Sequence, residues 1–227
     1  MKRAMPSAVL FDLDGTLVDT APDFFAVVND LRQESDLPHI AHSSIRQQVS
    51  NGGSALTRLT WQIELDHPEF DHYRQQLLAR YEQHIGSASA LFPGFEQVLN
   101  DLQAAGIHWG IVTNKPRRYT ELLLERLPLD CPIVVCPDDV SRAKPDPEPL
   151  LFAASQLEVS ASQCWYVGDH QRAIDAGHTH GRLTLCGPLG YPANTTAQGQ
   201  LGGGEGQATA TAPSHPTLTE QRRTNHA

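Results

Sequence analysis

Four apolar residues, Ala8-Val9-Leu10-Phe11, run directly into Asp12-Leu13-Asp14-Gly15. The run is short and stops at a turn signal, so residues 7–12 are expected to form a short buried strand. Its end carries two acids two positions apart. Side chains alternate along a strand, so both carboxylates should gather near one point. Gly15 lets the chain turn tightly beside anything bound there.

The chain that follows decides what kind of sheet this strand joins. Residues 21–34 carry Phe24, Val27, Val28 and Leu31 at helical spacing, with Asp19, Thr20 and Pro22 where a helix would start. Further helical patterns cover 43–50, 54–65 and 69–85, and no strand is expected between 20 and 88. From Leu91 the rhythm changes. Helices are expected at 94–105, 117–127, 148–157 and 170–180, and strands at 107–113, 132–136, 163–168 and 182–186. Strands alternating with helices indicate βαβ units and a parallel sheet. The expected fold class is α/β: a Rossmann-like parallel-sheet core from residues 1–19 and 89–191, with a helical insertion at 20–88. Ligands of such sheets sit beyond the carboxyl ends of the strands. Asp12, Thr113 and Asp169 fall at such ends, and Lys144 lies in a loop within reach of them. Residues 192–227 contain no Phe, Trp or Tyr and include Gly202-Gly203-Gly204, so they are expected to be a disordered low-complexity tail.

Composition removes several functions. The formal net charge is −9 and there is no Lys/Arg-rich block, which argues against nucleic acid as a partner. No stretch has the apolar length of a membrane span, so no membrane association is expected. The apolar run before Asp12 is too short for a signal peptide, and the four cysteines contain no C-x-x-C pair. A cytoplasmic protein with reduced thiols is expected. A few local cations can still hold one phosphate against an acidic background.

The acid pair carries the chemistry. One carboxylate can attack as a nucleophile while its neighbour shuttles a proton. Two carboxylates this close repel, so a divalent cation is expected between them. Magnesium favours carboxylate oxygens together with water and phosphate. Lys115, Arg117 and Arg118 can add positive field nearby. His170, His178 and His180 match no standard metal spacing and read as surface histidines.

The string Phe11-Asp12-Leu13-Asp14-Gly15-Thr16-Leu17-Val18-Asp19-Thr20 resembles the first motif of the haloacid dehalogenase superfamily, in its phosphatase branch. Thr113 after a strand matches the second motif, Lys144 in Lys-Pro-Asp-Pro-Glu-Pro the third, and Gly168-Asp169 the start of the fourth. The resemblance covers about residues 6–191. It implies that Asp12 is the nucleophile that forms an aspartyl-phosphate and that Asp14 is the acid and base. It implies a magnesium ion held by Asp12, Asp14 (through its backbone carbonyl) and Asp169. Thr113, Asn114 and Lys144 would hold the substrate's phosphate. The insertion at 20–88 sits where this family carries a helical cap that closes over small substrates. Val-Ser-Asn-Gly-Gly, Val-Thr-Asn-Lys-Pro and Cys-Pro-Asp-Asp-Val are similar to the phosphoglycolate phosphatase group, and closer to the phosphatases of N-acetylmuramic acid 6-phosphate used in cell-wall recycling. The expected partner is thus a small phosphorylated metabolite, that ester or 2-phosphoglycolate, acted on by a monomer or weak dimer. A non-catalytic phospho-ligand-binding descendant is the other class of reading.

Two departures from the family bear on rate. The fourth motif usually has a second acid four residues after the first, and here that residue is Ala173. Asp175 is two residues beyond Ala173, roughly 200° around a helix, and should point elsewhere. Loss of such an outer support typically weakens metal binding or activity by about 10–100-fold. Relatives also continue past Gly190-Tyr191 with a further strand and helix, where this chain turns to low-complexity sequence.

Overall fold

The computed structural model describes residues 5–127, 129–168 and 183–186, the last as backbone alone. The expected helix at 170–180, Asp169, Ala173, Asp175, the three clustered histidines and the 192–227 segment lie outside the described residues.

The unbroken apolar run forms β1, Ala8–Phe11, with every residue buried. It sits at the centre of a five-stranded parallel sheet. On one side lie β4 (His108–Val112) and then β5 (Val134–Val135); on the other lie β6 (Cys164–Gly168) and then β7 (Leu183–Cys186). Phe11 pairs with Ile111 of β4 and Val167 of β6, so the three strands end level. Asp12 therefore leaves the sheet beside Val112-Thr113 and Gly168, and its N–H still donates to the Val167 carbonyl at 2.8 Å. The expectation that strand ends converge on one point follows from this register. Gly110 allows the close approach of the β4–β5 edge: a Cβ there would collide with the Ile133 side chain.

Helices cover both faces, as a sheet of buried strands requires. α7 (Glu148–Gln156) packs Leu150 and Ala153 onto Leu10, Val112, Val135 and Tyr166. The opposite face receives α5 (Phe95–Ala104) and α6 (Arg117–Leu124), with Phe95 edge-on to Phe11. Each apolar side chain buried in this way contributes about 1.5–3 kcal/mol before entropy is counted.

Between Asp19 and Ala90 the chain forms only helices: α1 (Ala21–Glu34), α2 (His42–Val49), α3 (Gly53–Trp61) and α4 (Phe70–His84). Their apolar faces join the same buried cluster as Phe11 and Leu13, through Leu17, Val27, Ile45, Leu56 and Leu77. The chain leaves and returns through a two-residue antiparallel pair, β2 (Val18–Asp19) and β3 (Ala90–Leu91). The sequence gives no sign of this pair, because two residues carry no periodicity. Asp23, almost wholly buried, fixes the return path. It accepts the N–H groups of Gly86 (2.6 Å) and Ala88 (2.7 Å) and the Ser89 hydroxyl (2.6 Å).

Element limits agree with the sequence pattern to within a residue or two, with three exceptions. α3 stops at Trp61 rather than 65, where Gln62 takes a left-handed conformation (φ 56°). α6 closes at Leu124 rather than 127. β5 is two residues rather than five. Pro132 has no N–H to donate to the ladder, and Cys136 already opens a short 3-10 turn at Pro137–Asp139.

Candidate active site

Residues 12–15 place two acids on one side and a core residue on the other. Leu13 is fully buried, while Asp12 and Asp14 line a cavity of about 560 Å³. Gly15 makes the turn (φ 79°), and its N–H returns to the Val18 carbonyl at 2.9 Å.

Asp12 is held by the sheet. Its Oδ1 accepts the Leu13 N–H at 2.8 Å and the Lys144 ammonium at 2.8 Å. Lys144 is buried, and its Nζ also donates to the Val112 carbonyl (2.8 Å) and the Tyr166 hydroxyl (2.7 Å). All three ammonium hydrogens are thus used, as a buried lysine requires. Asn114 fixes the loop that carries Lys144. Its amide donates to the Lys144 carbonyl (2.8 Å) and accepts the Lys144 N–H (3.0 Å). Asn114 was expected at the substrate. It does line the cavity, but its amide is engaged at both ends by the Lys144 main chain.

Asp14 is held differently. Its Oδ1 accepts the Thr20 hydroxyl at 2.7 Å and the Lys115 ammonium at 3.0 Å. Lys115 also donates to the Tyr81 hydroxyl of α4 at 2.8 Å, and Tyr81 stacks on Phe24 of α1. Burial alone would lower the Lys115 pKa. The Asp14 carboxylate and the Tyr81 hydroxyl outweigh it, so the ammonium stays charged well above the ordinary lysine range. Burial pushes the Tyr81 hydroxyl upward, so it stays protonated. Of the three cations expected near the site, Lys115 alone faces the acids. Arg117 pairs with Asp139 and Arg118 with Glu82.

Thr113 is buried at the end of β4 and lines the cavity. Its Oγ1 accepts the Lys115 N–H at 3.0 Å, and among the described residues its hydroxyl hydrogen has no acceptor. That leaves one donor for a ligand oxygen. The opposite wall comes from the inserted helices, through Val49–Gly53 and through Arg74, Leu78 and Tyr81 of α4. Four of the expected residues, Asp12, Asp14, Thr113 and Lys144, therefore meet at one cavity with Asn114 beside them. Asp169, the other expected metal ligand, lies outside the described residues.

Among the described residues no group of three His, Cys, Asp or Glu side chains converges as a metal site. The oxygens that remain do suit a hard cation. Asp12 Oδ2 and the Asp14 main-chain carbonyl accept no hydrogen bond from any described residue. Such oxygens are the donors magnesium prefers.

Nothing local in the sequence marks Tyr81, Tyr166 or Arg74 as part of the site. A tyrosine inside an apolar helix or strand reads as core, and an arginine on a helix reads as a solvated face. Only the contacts across the fold distinguish them.

A central parallel strand ending in paired aspartates, a buried lysine bonded to the first, and helices inserted just after the second define a hydrolase of the haloacid dehalogenase type. The chain belongs to the haloacid dehalogenase-like hydrolase family, whose model matches residues 9–185. It is 42% identical over 193 residues to the N-acetylmuramic acid 6-phosphate phosphatase of Pseudomonas aeruginosa, covering 84% of this chain and 85% of that protein. It is 41% identical over 188 residues to a phosphoglycolate phosphatase of Xanthomonas campestris pv. campestris, covering 82% of this chain and 85% of that one. Among solved structures, a predicted phosphoglycolate phosphatase from Haemophilus somnus superposes with a TM-score of 0.73 at 26% identity, over 85% of this chain and 89% of that one.

Proposed function

We propose that this protein hydrolyses the phosphate monoester of a small metabolite, with N-acetylmuramic acid 6-phosphate as substrate, in the cytoplasmic recycling of cell-wall sugars. The observation that carries the reading is the meeting of Asp12, Asp14, Thr113 and Lys144 at one cavity, in a chain 42% identical to a phosphatase of that ester. A cavity of about 560 Å³ is in the range of about 300–1,000 Å³ usual for ligands larger than a two-carbon acid. 2-Phosphoglycolate is the second reading, favoured by the 41% identity to the Xanthomonas enzyme.

In this mechanism an Asp12 carboxylate oxygen attacks phosphorus. The P–O bond to the alcohol breaks, and the alcohol oxygen takes the proton of Asp14. Asp14, now a carboxylate, removes a proton from water as the water oxygen attacks the aspartyl-phosphate, releasing phosphate and restoring Asp12. Thr113 donates its hydroxyl to a phosphate oxygen, and Lys144 offsets charge beside the nucleophile. Asn114 positions Lys144 through its loop. Asp12, the Asp14 carbonyl and Asp169 would hold magnesium, which when bound neutralises phosphate charge and screens the two carboxylates. The insertion at 20–88 acts as the cap, with its 49–53 turn and α4 excluding water.

The test is magnesium-dependent phosphate release from a panel of phosphorylated metabolites, with Asp12→Asn as control. Hydrolysis that needs both magnesium and Asp12, and is fastest for N-acetylmuramic acid 6-phosphate, is the expected result. Release no faster than the control across the panel would leave the non-catalytic descendant as the better reading.

A further inference from the structure

Every arginine among the described residues but one is matched to an acceptor. Within the insertion, Arg46 is bidentate on Asp19, Arg80 pairs with Glu34, and Arg58 pairs with Glu64. Arg32 is buried against the carbonyls of Pro38 and Thr60. The exception is Arg74. It is exposed, makes no ion pair or hydrogen bond with a described residue, and lines the same cavity as Asp12 and Lys144.

Its place on α4 gives that exception meaning. Arg74, Leu78 and Tyr81 stand at i, i+4 and i+7, on one face of the helix, and all three line the cavity. Tyr81 is tied through Lys115 to Asp14. Arg74 stands two turns further along that face, about 10 Å up the helix axis. One wall thus presents a tyrosine at the reacting end, an apolar leucine between, and an unmatched guanidinium at the far end. A guanidinium is a planar fork that binds a carboxylate through two parallel hydrogen bonds.

We infer that Arg74 is a specificity-determining residue that binds a carboxylate carried by the substrate at the end remote from its phosphate. The inference deepens the proposed function and rests on it. The substrates named for the two relatives look unlike, a sugar phosphate and a two-carbon phosphate, yet each pairs one phosphate with one carboxylate. The distance along α4 favours the longer of them, in which a hexose ring separates the two charges. The ring then lies against Leu78.

The experiment compares N-acetylmuramic acid 6-phosphate with N-acetylglucosamine 6-phosphate, the same sugar phosphate without the lactyl carboxylate. Glucose 1,6-bisphosphate is added to separate a carboxylate from a second phosphate. kcat/KM is measured for wild type, Arg74→Ala and Arg74→Lys, with p-nitrophenyl phosphate as an independent reporter of phosphatase activity. Wild type should prefer the carboxylate ester over both other sugars. Arg74→Ala should reduce that preference by about 10–100-fold, mainly through KM, as expected for loss of a charge-assisted pair. Arg74→Lys should recover part of it, since the charge remains and the fork is lost. Arg74 is exposed, so both variants should fold. A preference that survives Arg74→Ala, the absence of any preference in wild type, or a preference for the bisphosphate would overturn the inference while leaving the phosphatase reading intact. No turnover of any ester, p-nitrophenyl phosphate included, would overturn both.

Discussion

The two aspartates are neighbours in sequence but are held by different parts of the molecule. Asp12 is gripped from the sheet: Lys144 reaches it while also bonded to Val112 and Tyr166, all within the βα core. Asp14 is gripped across the fold: Lys115 comes from the loop after β4, while Tyr81 and Thr20 belong to the inserted helices and their entry. The proposed nucleophile is therefore set by the rigid scaffold. The proposed acid and base is held by Lys115 and Thr20, and α4 bears on it through the Tyr81 hydroxyl that Lys115 also donates to. In the proposed mechanism, the insertion therefore bears on proton transfer through Tyr81 and Lys115 more than on attack.

The largest expected effect tests the sheet side. Asp12→Asn should lower kcat by at least about 10⁴-fold for every ester, because no other group can take the nucleophile's place. Asp14→Asn should cost about 10²–10⁴-fold for alkyl phosphates. Its effect should be much smaller in the first step with p-nitrophenyl phosphate, whose leaving group needs little protonation. A loss equal for both esters in single-turnover kinetics would break the division of roles.

Asp23 sits on the insertion side alone. Asp23→Ala leaves the Gly86 and Ala88 N–H groups without their acceptor, at a cost of about 2–4 kcal/mol of stability. The denaturation midpoint should fall accordingly, and alkyl esters should slow more than aryl esters. A matched pair of smaller changes sharpens the contrast. Tyr81→Phe and Tyr166→Phe each remove one hydroxyl that accepts from a buried lysine, worth about 3–10-fold in rate. Tyr166→Phe should slow all esters alike, and Tyr81→Phe should slow poor leaving groups most. The smallest effect concerns thiols. Burial pushes the Cys131 thiol up to about 12 and raises Cys136 as well, which disfavours the reactive thiolate at both. Iodoacetamide at pH 8 should leave both unmodified in the folded protein and label them after unfolding.

What the sequence made legible divides along the same line. The sheet side was open to reading, because an apolar run ending in Asp12 and a β4 pattern ending in Thr113 are local signals. Level strand ends then bring them together by register alone. The α1–α4 periodicities were equally plain. The grip on Asp14 was not, since Lys115 and Tyr81 are distant in sequence and meet only through packing of α4 on α1. The β2–β3 pair was hidden by its length, and the engagement of Asn114 with Lys144 by the loop between them. Arg74 was hidden because a charge on a helix looks the same in sequence whether it meets solvent or a cavity.

The central claim is that Asp12 and Asp14 carry out separate steps of one phosphoryl transfer. Rapid-quench experiments with a ³²P-labelled aryl phosphate test it most directly. Label should appear on the wild-type protein and decay, accumulate on Asp14→Asn because activation of water is lost, and be absent from Asp12→Asn. Label that persists on Asp12→Asn, or wild-type turnover with no protein-bound label at any time, would contradict the account.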